Sequence, residues 1–373
     1  MNSPKVCIIT AARSEYGLLK WVIDGVHDDD ELQLQLVVTG AHLSKEHGYT
    51  MQFIEEDGYP IAALVDMHLA SENRTEIVRS MGHCSIGMAD TLADLNPDMV
   101  VVLGDRYELL PIVSAALVLG IPVAHLSGGD VTEGAIDNEV RNAVSMMSSL
   151  HFPGVESSAE NLKRMLGTDK NIFTVGEPGL ESFLRYELMD REELADNLGL
   201  DINKSWFLVT LHSETKTNID ENVAVAENLF KVMEGIKNVQ FVVSKANADY
   251  GGTQINNFWD KAVTKDPSRY KLFTSLGQRR YLSFMRQAAG VLGNSSSGIV
   301  EAPFMGIPVV NIGNRQKGRH LCKNVIQCGR SYEEILYAVK KMQNQPKIVD
   351  TYYGDGHTAE KVIAHIKNYL HEK

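Results

Sequence analysis

The sequence predicts an α/β protein with two doubly wound domains, each built on a parallel sheet covered by helices on both faces. Its 373 residues are enough for two domains of ordinary size. Short runs of Val, Ile and Leu alternate with longer amphipathic stretches, which is typical of buried parallel strands joined by helices. This alternation runs through the first half of the chain and begins again at residue 205.

In the first half, predicted strands alternate with predicted helices. The strands are KVCIIT (5–10), LQLQLVVTG (32–40), NPDMVVVLGD (96–105) and IPVAHLSGG (121–129). The helices are EYGLLKWVIDGV (15–26), Arg74 to Leu95, and Arg106 to Leu119. We assign residues 1–178 to this N-terminal domain.

The second half repeats the pattern. Its strands are SWFLVTLH (205–212), VQFVVSKAN (239–247), YKLFTSL (270–276), AGVLGNSSSG (289–298) and IPVVNIG (307–313), with a helix over 219–234. The polar segment LRYELMDREELADNLGL connects the two halves, so the C-terminal domain spans 179–354. We expect the amphipathic stretch in 355–373 to pack back on the N-terminal domain.

Composition excludes several classes of protein. A formal net charge of −12 argues against general binding to nucleic acid or to an anionic membrane surface. The first residues, MNSPKVCIIT, hold no apolar stretch of signal-peptide length, and no later window resembles a membrane helix, so we predict a cytoplasmic protein. The four cysteines form no C-x-x-C pair, which argues against a zinc or redox site.

Polar residues follow the predicted strands, where open α/β sheets bind ligands. In the first half these are Arg13, Ser14, Asp105, Arg106 and Asp130; in the second they are His212, Lys245, Asn247, Ser295, Ser296, Ser297 and Arg315. If the two domains face each other across a cleft, these loops lie together.

The stretch LGNSSSGIVEA (292–302) places three serines between a strand and a predicted helix that includes Glu301. Unpaired N–H groups at a helix start favour a diphosphate, although a single serine there is more often an ordinary cap. The stretch is not a Walker A loop, and no G-x-G-x-x-G follows the first strand, which disfavours triphosphate hydrolysis and nicotinamide chemistry. Glu301 is placed to accept hydrogen bonds from a ribose, or is simply solvated.

An acidic group follows two successive strands of the first half. It consists of Asp105, Asp130, Glu133 and Asp137. Carboxylates gathered in one site act as general acid and base when their neighbours separate their pKa values. Each alone also has a structural explanation, such as ending a strand or capping a helix. A metal site is the weaker alternative, because no phosphate-bridging carboxylate pair is evident.

Taken together, these motifs resemble those of the UDP-N-acetylglucosamine 2-epimerase family, in particular its hydrolysing branch that feeds sialic and legionaminic acid synthesis. The resemblance runs nearly end to end and is carried by TAARSEYG, VVLGDRYE, HLSGGDVTEGAIDNEVRNA, VTLHSET and GNSSSGIVEAPFMGIPVVNIGNRQKGR. It implies two Rossmann-like domains in the GT-B arrangement, with an interdomain cleft. UDP would be bound by Arg13, Arg106, His212, Asn247, Ser295, Ser296, Glu301 and Arg315, and catalysis would fall to Asp105 and Asp137.

The implied reaction converts a UDP-linked N-acetylglucosamine and water to free N-acetylmannosamine and UDP. UDP leaves as a carboxylate removes the proton from C2, and the resulting glycal is hydrated from the face that inverts C2. This chemistry requires no redox cofactor and no metal. The resemblance also implies a homodimer or homotetramer.

The sequence departs from the family at three positions. Ser127 replaces a glutamate, Asn142 a histidine and Met146 a lysine. We therefore take Asp130 as the candidate for the missing acid. The change at Asn142 is compatible with a modified sugar, such as a 2,4-diacetamido-2,4,6-trideoxy hexose. Two alternatives share the fold: a GT-B glycosyltransferase, which needs an acceptor, and a nucleotide-sugar sensor, which returns its ligand unchanged.

Overall fold

Two compact units make up the protein in the computed structural model. The structure describes residues 3–44, 49–69, 74–131, 136–214, 217–246 and 251–372. The N-terminal unit comprises the chain up to Glu181 together with the segment from Gly354 onward, and the C-terminal unit is Ser182–Tyr353.

The N-terminal unit contains a parallel sheet in the order β3-β2-β1-β4-β5-β6. Its strands are β1 (Lys5–Thr10), β2 (Gln33–Thr39), β3 (Ile61–Val65), β4 (Met99–Leu103), β5 (Val123–Leu126) and β6 (Leu150–Phe152). Its helices are α1 (Arg13–His27), α2 (Met51–Asp57), α3 (Arg74–Leu95), α4 (Leu109–Val118), α5 (Asp137–Met146), α6 (Glu156–Leu166) and, at the end of the chain, α14 (Thr358–His371). Two 3-10 turns are Gly40–Leu43 and Pro178–Glu181.

The C-terminal unit contains a second parallel sheet, in the order β12-β11-β10-β7-β8-β9. Its strands are β7 (Ser205–Thr210), β8 (Val239–Ser244), β9 (Tyr270–Phe273), β10 (Gly290–Gly293), β11 (Val309–Ile312) and β12 (Val325–Cys328). Its helices are α7 (Ser182–Arg185), α8 (Arg191–Leu198), α9 (Ile219–Gly235), α10 (Gly252–Ala262), α11 (Gln278–Gln287), α12 (Glu301–Phe304) and α13 (Tyr332–Gln343), with 3-10 turns at Val263–Lys265 and Ser296–Gly298.

The predicted class, two doubly wound α/β domains, is confirmed by these two sheets. The prediction missed β3, β6 and β12, which are short and lie at the edges of their sheets. β6 and β12 lack the long apolar run that marks a central strand, whereas β3 is wholly apolar and as long as β4. The predicted helix from Arg106 begins only at Leu109, because a turn precedes it in which the Leu109 N–H bonds the Arg106 carbonyl at 3.0 Å.

The last helix, α14, packs on α1 within the N-terminal unit. Val362 and Ile366 are fully buried in that contact. Gly25 of α1 permits the close approach, because a Cβ there would lie 2.1 Å from Cδ1 of Ile363. The start of α14 is fixed by Glu181, which accepts the Ala359 N–H at 2.7 Å. The end of the chain thus completes the core that supports β1 and its loop.

We predict that Ile366→Ala lowers the free energy of unfolding by about 2–5 kcal/mol, because it opens a cavity between α14 and α1. Ile86→Ala makes the same chemical change at a side chain that is 68% exposed. That variant is expected to change stability by less than about 0.5 kcal/mol. Urea unfolding of both variants measures the difference, and equal losses would show that α14 contributes no core.

Candidate active site

Each sheet has a point where the strand order reverses, and polar loops meet there. In the N-terminal unit the reversal lies between the paired strands β1 and β4, and in the C-terminal unit between β7 and β10. The connections after these strands leave toward opposite sides of the sheet, which opens a crevice at the carboxyl ends of the strands. The predicted residues of each unit follow these strands or their direct neighbours.

A cavity of about 440 Å³ lies at the reversal point of the N-terminal sheet. Its lining comes from the first turns of α1, the segment after β4 and the start of α5. The lining residues are Ser14, Glu15, Leu18, Leu103, Gly104, Asp105, Arg106, Tyr107 and Asp137. Two of the three predicted catalytic carboxylates, Asp105 and Asp137, are therefore brought to one cavity.

Asp105 forms an ion pair with Arg141, whose side chain is almost fully buried on α5. The same guanidinium donates through Nη1 to the Asp130 carbonyl at 2.8 Å, so it links the loops after β4 and β5. The sequence prediction did not include Arg141 in the site. The spacing in the sequence indicates its place, because Arg141 lies one helical turn after Asp137 on α5 and therefore points to the same side of the helix.

Asp137 is the first residue of α5 and is half-buried in the cavity wall. Burial raises its pKa, and the negative charge of Asp105 raises it further. Asp105 differs from it in forming a direct ion pair with the Arg141 guanidinium. Two carboxyl groups in unequal environments are what a general acid and a general base require.

Asp130 has a different environment. Its Oδ1 accepts a hydrogen bond from the Ser158 hydroxyl of α6 at 2.5 Å. Gly129 fits closely beside this contact, because its φ is +84° and a Cβ would lie 2.2 Å from the Ser158 carbonyl oxygen. Asp130 is not one of the described residues that line the cavity. Its predicted catalytic role stays a prediction.

Arg106 lies between two buried glutamates that the sequence prediction did not include. Its Nη2 donates to Oε1 of Glu108 at 2.6 Å, and its Nε lies 3.6 Å from Oε1 of Glu15. Arg13, on the first turn of α1, is exposed, and its guanidinium carbon lies 4.8 Å from the centre of the Phe53 ring. Arg13 thus opens α1 and Arg106 lies in the segment after β4, and of these two it is Arg106 that contacts carboxylates within the described residues.

In the C-terminal unit, Asn294 joins the loops that follow β7 and β10. It accepts the His212 N–H at 2.7 Å and donates to the His212 carbonyl at 2.9 Å. Gly293 allows the two strands to stay close here, because its φ is +137° and a Cβ would lie 1.9 Å from the Thr210 carbonyl oxygen. Burial, together with the charge of Arg315, lowers the pKa of His212 to about 4, so its imidazole is neutral at neutral pH.

The predicted helix start at the serines is wrong. Ser296–Gly298 is a 3-10 turn, and α12 begins only at Glu301 and has four residues. Pro303 explains the break: a continuous helix would need its N–H to bond the Ile299 carbonyl, and proline has none. The anion-binding argument from a helix dipole therefore does not apply to this loop.

The three serines have different surroundings. The hydroxyl of Ser297 is buried and contacts Tyr281 at 2.5 Å and Ser295 at 2.9 Å, so it holds the turn together. Ser295 is half-buried and caps the turn, accepting the Ser297 N–H. Ser296 is exposed. Of the three serines, Ser296 is therefore the one open to solvent.

Arg315 is fixed to the same frame, because its Nη1 donates to the Asn294 carbonyl at 3.2 Å. Glu214, which the sequence prediction missed, holds the loop of Arg315 from the other side. It accepts the Asn314 N–H at 2.8 Å and forms an ion pair with Arg330. The loops after β7, β10 and β11 are thus bound into one surface.

Glu301 presents an acceptor in this surface. Its Oε2 is buried and has no hydrogen-bond partner within the described part of the chain. Burial raises its pKa. A buried polar atom of this kind is normally satisfied by a partner. Asn247, the remaining predicted residue, and Glu133 of the acidic group lie outside the described residues.

The described ranges contain no group of three or more His, Cys, Asp and Glu side chains that could hold a metal ion. Across the same ranges, none of the helices combines the length and the apolar character needed to cross a membrane.

Two doubly wound domains with polar reversal points define a nucleotide-binding class of α/β protein. A sequence model of the UDP-N-acetylglucosamine 2-epimerase family matches residues 24–367. The chain belongs to this family. A solved UDP-GlcNAc 2-epimerase from Methanocaldococcus jannaschii, in complex with UDP-GlcNAc and UDP, has the same fold, with a TM-score of 0.76, 22% identity and coverage of 98% of this chain and 99% of that one.

Two relatives share more of the sequence. The GDP/UDP-N,N′-diacetylbacillosamine 2-epimerase (hydrolyzing) of Campylobacter jejuni is 37% identical over 326 residues, which cover 87% of this chain and 84% of the relative. The UDP-N,N′-diacetylbacillosamine 2-epimerase (hydrolyzing) of Legionella pneumophila is 32% identical over 364 residues, which cover 97% and 95%.

We predict a pH-dependent stability that comes from Glu15. Burial raises its pKa from 4.5 to about 7 in the folded protein. Above pH 4.5 the unfolded chain releases this proton while the folded protein keeps it, so the free energy of unfolding falls as pH rises toward 7. Relative to Glu15→Gln, the wild type should lose on the order of 3 kcal/mol across this range. Urea unfolding at pH 4.5 and 7.5 tests this, and parallel pH curves would contradict it.

Proposed function

We propose that the protein is a hydrolysing 2-epimerase, which converts a UDP-linked 2-acetamido sugar and water to UDP and the free manno-configured sugar. The observation that carries the proposal is the cavity in which Asp105 and Asp137 lie in unequal electrostatic environments. Family membership supports a sugar nucleotide as the substrate. The relatives from Campylobacter and Legionella are named hydrolysing enzymes.

In this proposal the C-terminal unit binds UDP. Ser295, Ser296 and Arg315 provide donors and positive charge for the diphosphate. Neutral His212 donates or accepts without adding charge. Glu301 is assigned to the ribose hydroxyls by resemblance. Asn247, Arg13 and Arg106 are assigned to UDP by resemblance. The charge-assisted donors stabilise the diphosphate as it leaves, which lowers the barrier to breaking the anomeric bond.

The N-terminal unit carries the proton transfers. A carboxylate removes the proton from C2 as the bond from C1 to the UDP oxygen breaks, and both electrons of that bond leave with UDP. Water then adds its hydroxyl to C1 of the glycal, and C2 is protonated from the opposite face. Asp105, with its guanidinium partner, suits the base, and Asp137, whose pKa is raised, suits the proton donor.

We further propose that the sugar is 2,4-diacetamido-2,4,6-trideoxyglucose, known as N,N′-diacetylbacillosamine, with N-acetylglucosamine as a poorer substrate. This sugar appears in the names of both reported relatives. Ser127, with φ +60°, and half-buried Asn142 mark where this chain departs from the family pattern. We also propose that the protein acts in the cytoplasm, for sialic or legionaminic acid synthesis, as a homodimer or homotetramer.

A panel of UDP-hexosamines assayed for UDP release in D₂O tests the function. The diacetamido substrate is expected to give UDP and a free manno sugar with deuterium at C2. A UDP-linked manno product without free UDP would indicate the non-hydrolysing reaction instead. Turnover that needed an added acceptor, without deuterium at C2, would indicate a glycosyltransferase, and unchanged substrate would indicate a sensor.

We predict that variants of the two units fail in different ways. Ser296→Ala combined with Arg315→Ala should weaken UDP binding by about 2–4 kcal/mol. Asp105→Asn should bind UDP normally but lose roughly a hundredfold or more in turnover. Calorimetry of UDP binding and a UDP-release assay separate the effects.

Asp130→Asn is the matched comparison, because this carboxylate contacts Ser158 and is not in the cavity lining among the described residues. Its turnover should stay within about tenfold of the wild type. A loss equal to that of Asp105→Asn would assign Asp130 to catalysis. A folded Asp105→Asn protein with near wild-type turnover would remove Asp105 from the mechanism.

A further inference from the structure

We propose that Glu15 is a positioning residue for this reaction, which holds the Arg106 guanidinium in the orientation that the cavity requires. The inference deepens the proposed function and rests on it. Glu15 reaches Arg106 from α1, across the reversal point between β1 and β4, so the contact joins the two loops that form most of the cavity.

The two carboxylate oxygens of Glu15 have different surroundings. Oε2 accepts the Ala11 N–H at 2.8 Å, which fixes the turn between β1 and α1. Oε1 lies 3.6 Å from Nε of Arg106. Oε1 of Glu15 and Nε of Arg106 are both buried, and neither has a hydrogen-bond partner within the described ranges. One carboxylate therefore contacts both the turn that opens α1 and the guanidinium of Arg106.

A second carboxylate holds Arg106 from another side. Glu108 is fully buried and accepts from Nη2 at 2.6 Å. Glu15 therefore restrains the Nε edge and Glu108 restrains Nη2, while 38% of the Arg106 side chain remains exposed and lines the cavity. Two fixed edges determine where the remaining N–H donors of a planar guanidinium point.

Glu15 acts through Arg106 rather than on the substrate, because its Oε1 is buried. Its charge state adds to this role. Burial raises its pKa to about 7, while the Ala11 N–H and Arg106 lower it. Other charged or titratable groups act around this contact. They are Glu108, Tyr107, Asp137, whose own pKa is raised, His42, whose pKa is lowered by burial and by Arg106, and Cys84 of α3, near Glu108. The restraint on Arg106 therefore changes near neutral pH.

The contact is tested first without reference to activity, by ¹⁵N–¹H spectra of the arginine Nε–H groups. Arg106→Lys identifies the Arg106 signal by its loss. In the wild type this signal is expected to move with pH around neutrality, and in Glu15→Gln the movement should disappear. The substitution keeps the turn, since the amide oxygen of the new glutamine side chain still accepts the Ala11 N–H. An Arg106 signal that is insensitive to the substitution would overturn the proposal.

The matched control is Glu181→Gln. Glu181 is also a buried glutamate that accepts a backbone N–H near the start of a helix, but its helix is α14. This variant is expected to leave the Arg106 signal and the pH profile of UDP release unchanged. If it moved them as much as Glu15→Gln does, the effect would be a general one on folding and the proposal would fail.

The kinetic consequence is read from a double-mutant cycle. Glu15→Gln alone should lower kcat/KM about tenfold to a hundredfold, through misplacement of Arg106. In the Arg106→Lys background, Glu15→Gln should change kcat/KM by less than about twofold, because the two residues act as one unit. Additive losses would overturn the proposal. Absence of UDP release by the wild type would refute the proposed function instead, and the spectra would still decide the contact.

Discussion

The parallel pairing of two central strand pairs, β1 with β4 and β7 with β10, is the constraint on which the site depends. Parallel strands end at the same edge of a sheet, so the residues that follow them are brought together. Because the strand order reverses here, the connections that follow the two strands leave toward opposite sides of the sheet, and a crevice opens between them. Asp105 and Arg106 meet Glu15 for this reason, and His212 meets Asn294 for the same reason in the other unit.

Charge compensation shapes the N-terminal site. Arg141 is buried and needs a counterion, which Asp105 provides, and Arg106 is held by Glu15 and Glu108. Buried charges are tolerated when they are paired, and each pair here also fixes a direction for a side chain. Because these pairs span separate loops, they make the geometry of the cavity a property of the folded unit as a whole.

The C-terminal site is organised by neutral hydrogen bonds around the backbone. Asn294 accepts from and donates to the backbone of His212, while its own carbonyl accepts from Arg315 and, at 2.9 Å, from Gln316. This arrangement fixes three loops through one asparagine, and the carboxylate that also holds them, Glu214, is paired with Arg330. A surface with fixed donors and a neutral imidazole is suited to an anionic diphosphate, since the groups need little rearrangement when it binds.

The sequence by itself determined the two α/β domains, because buried central strands such as β4 must be continuous apolar runs. It also predicted which loops hold the candidate site residues, since Asp105, Asp137, His212 and Arg315 follow such strands or open the next helix. Only the tertiary structure decided the partners. Arg141, Glu15 and Glu214 act across loops far apart in the chain, and Asp130 contacts Ser158. The serines form a 3-10 turn, and the helix predicted there begins only at Glu301. Periodicity reports which face of an element is buried, whereas a contact between side chains depends on how separate elements pack.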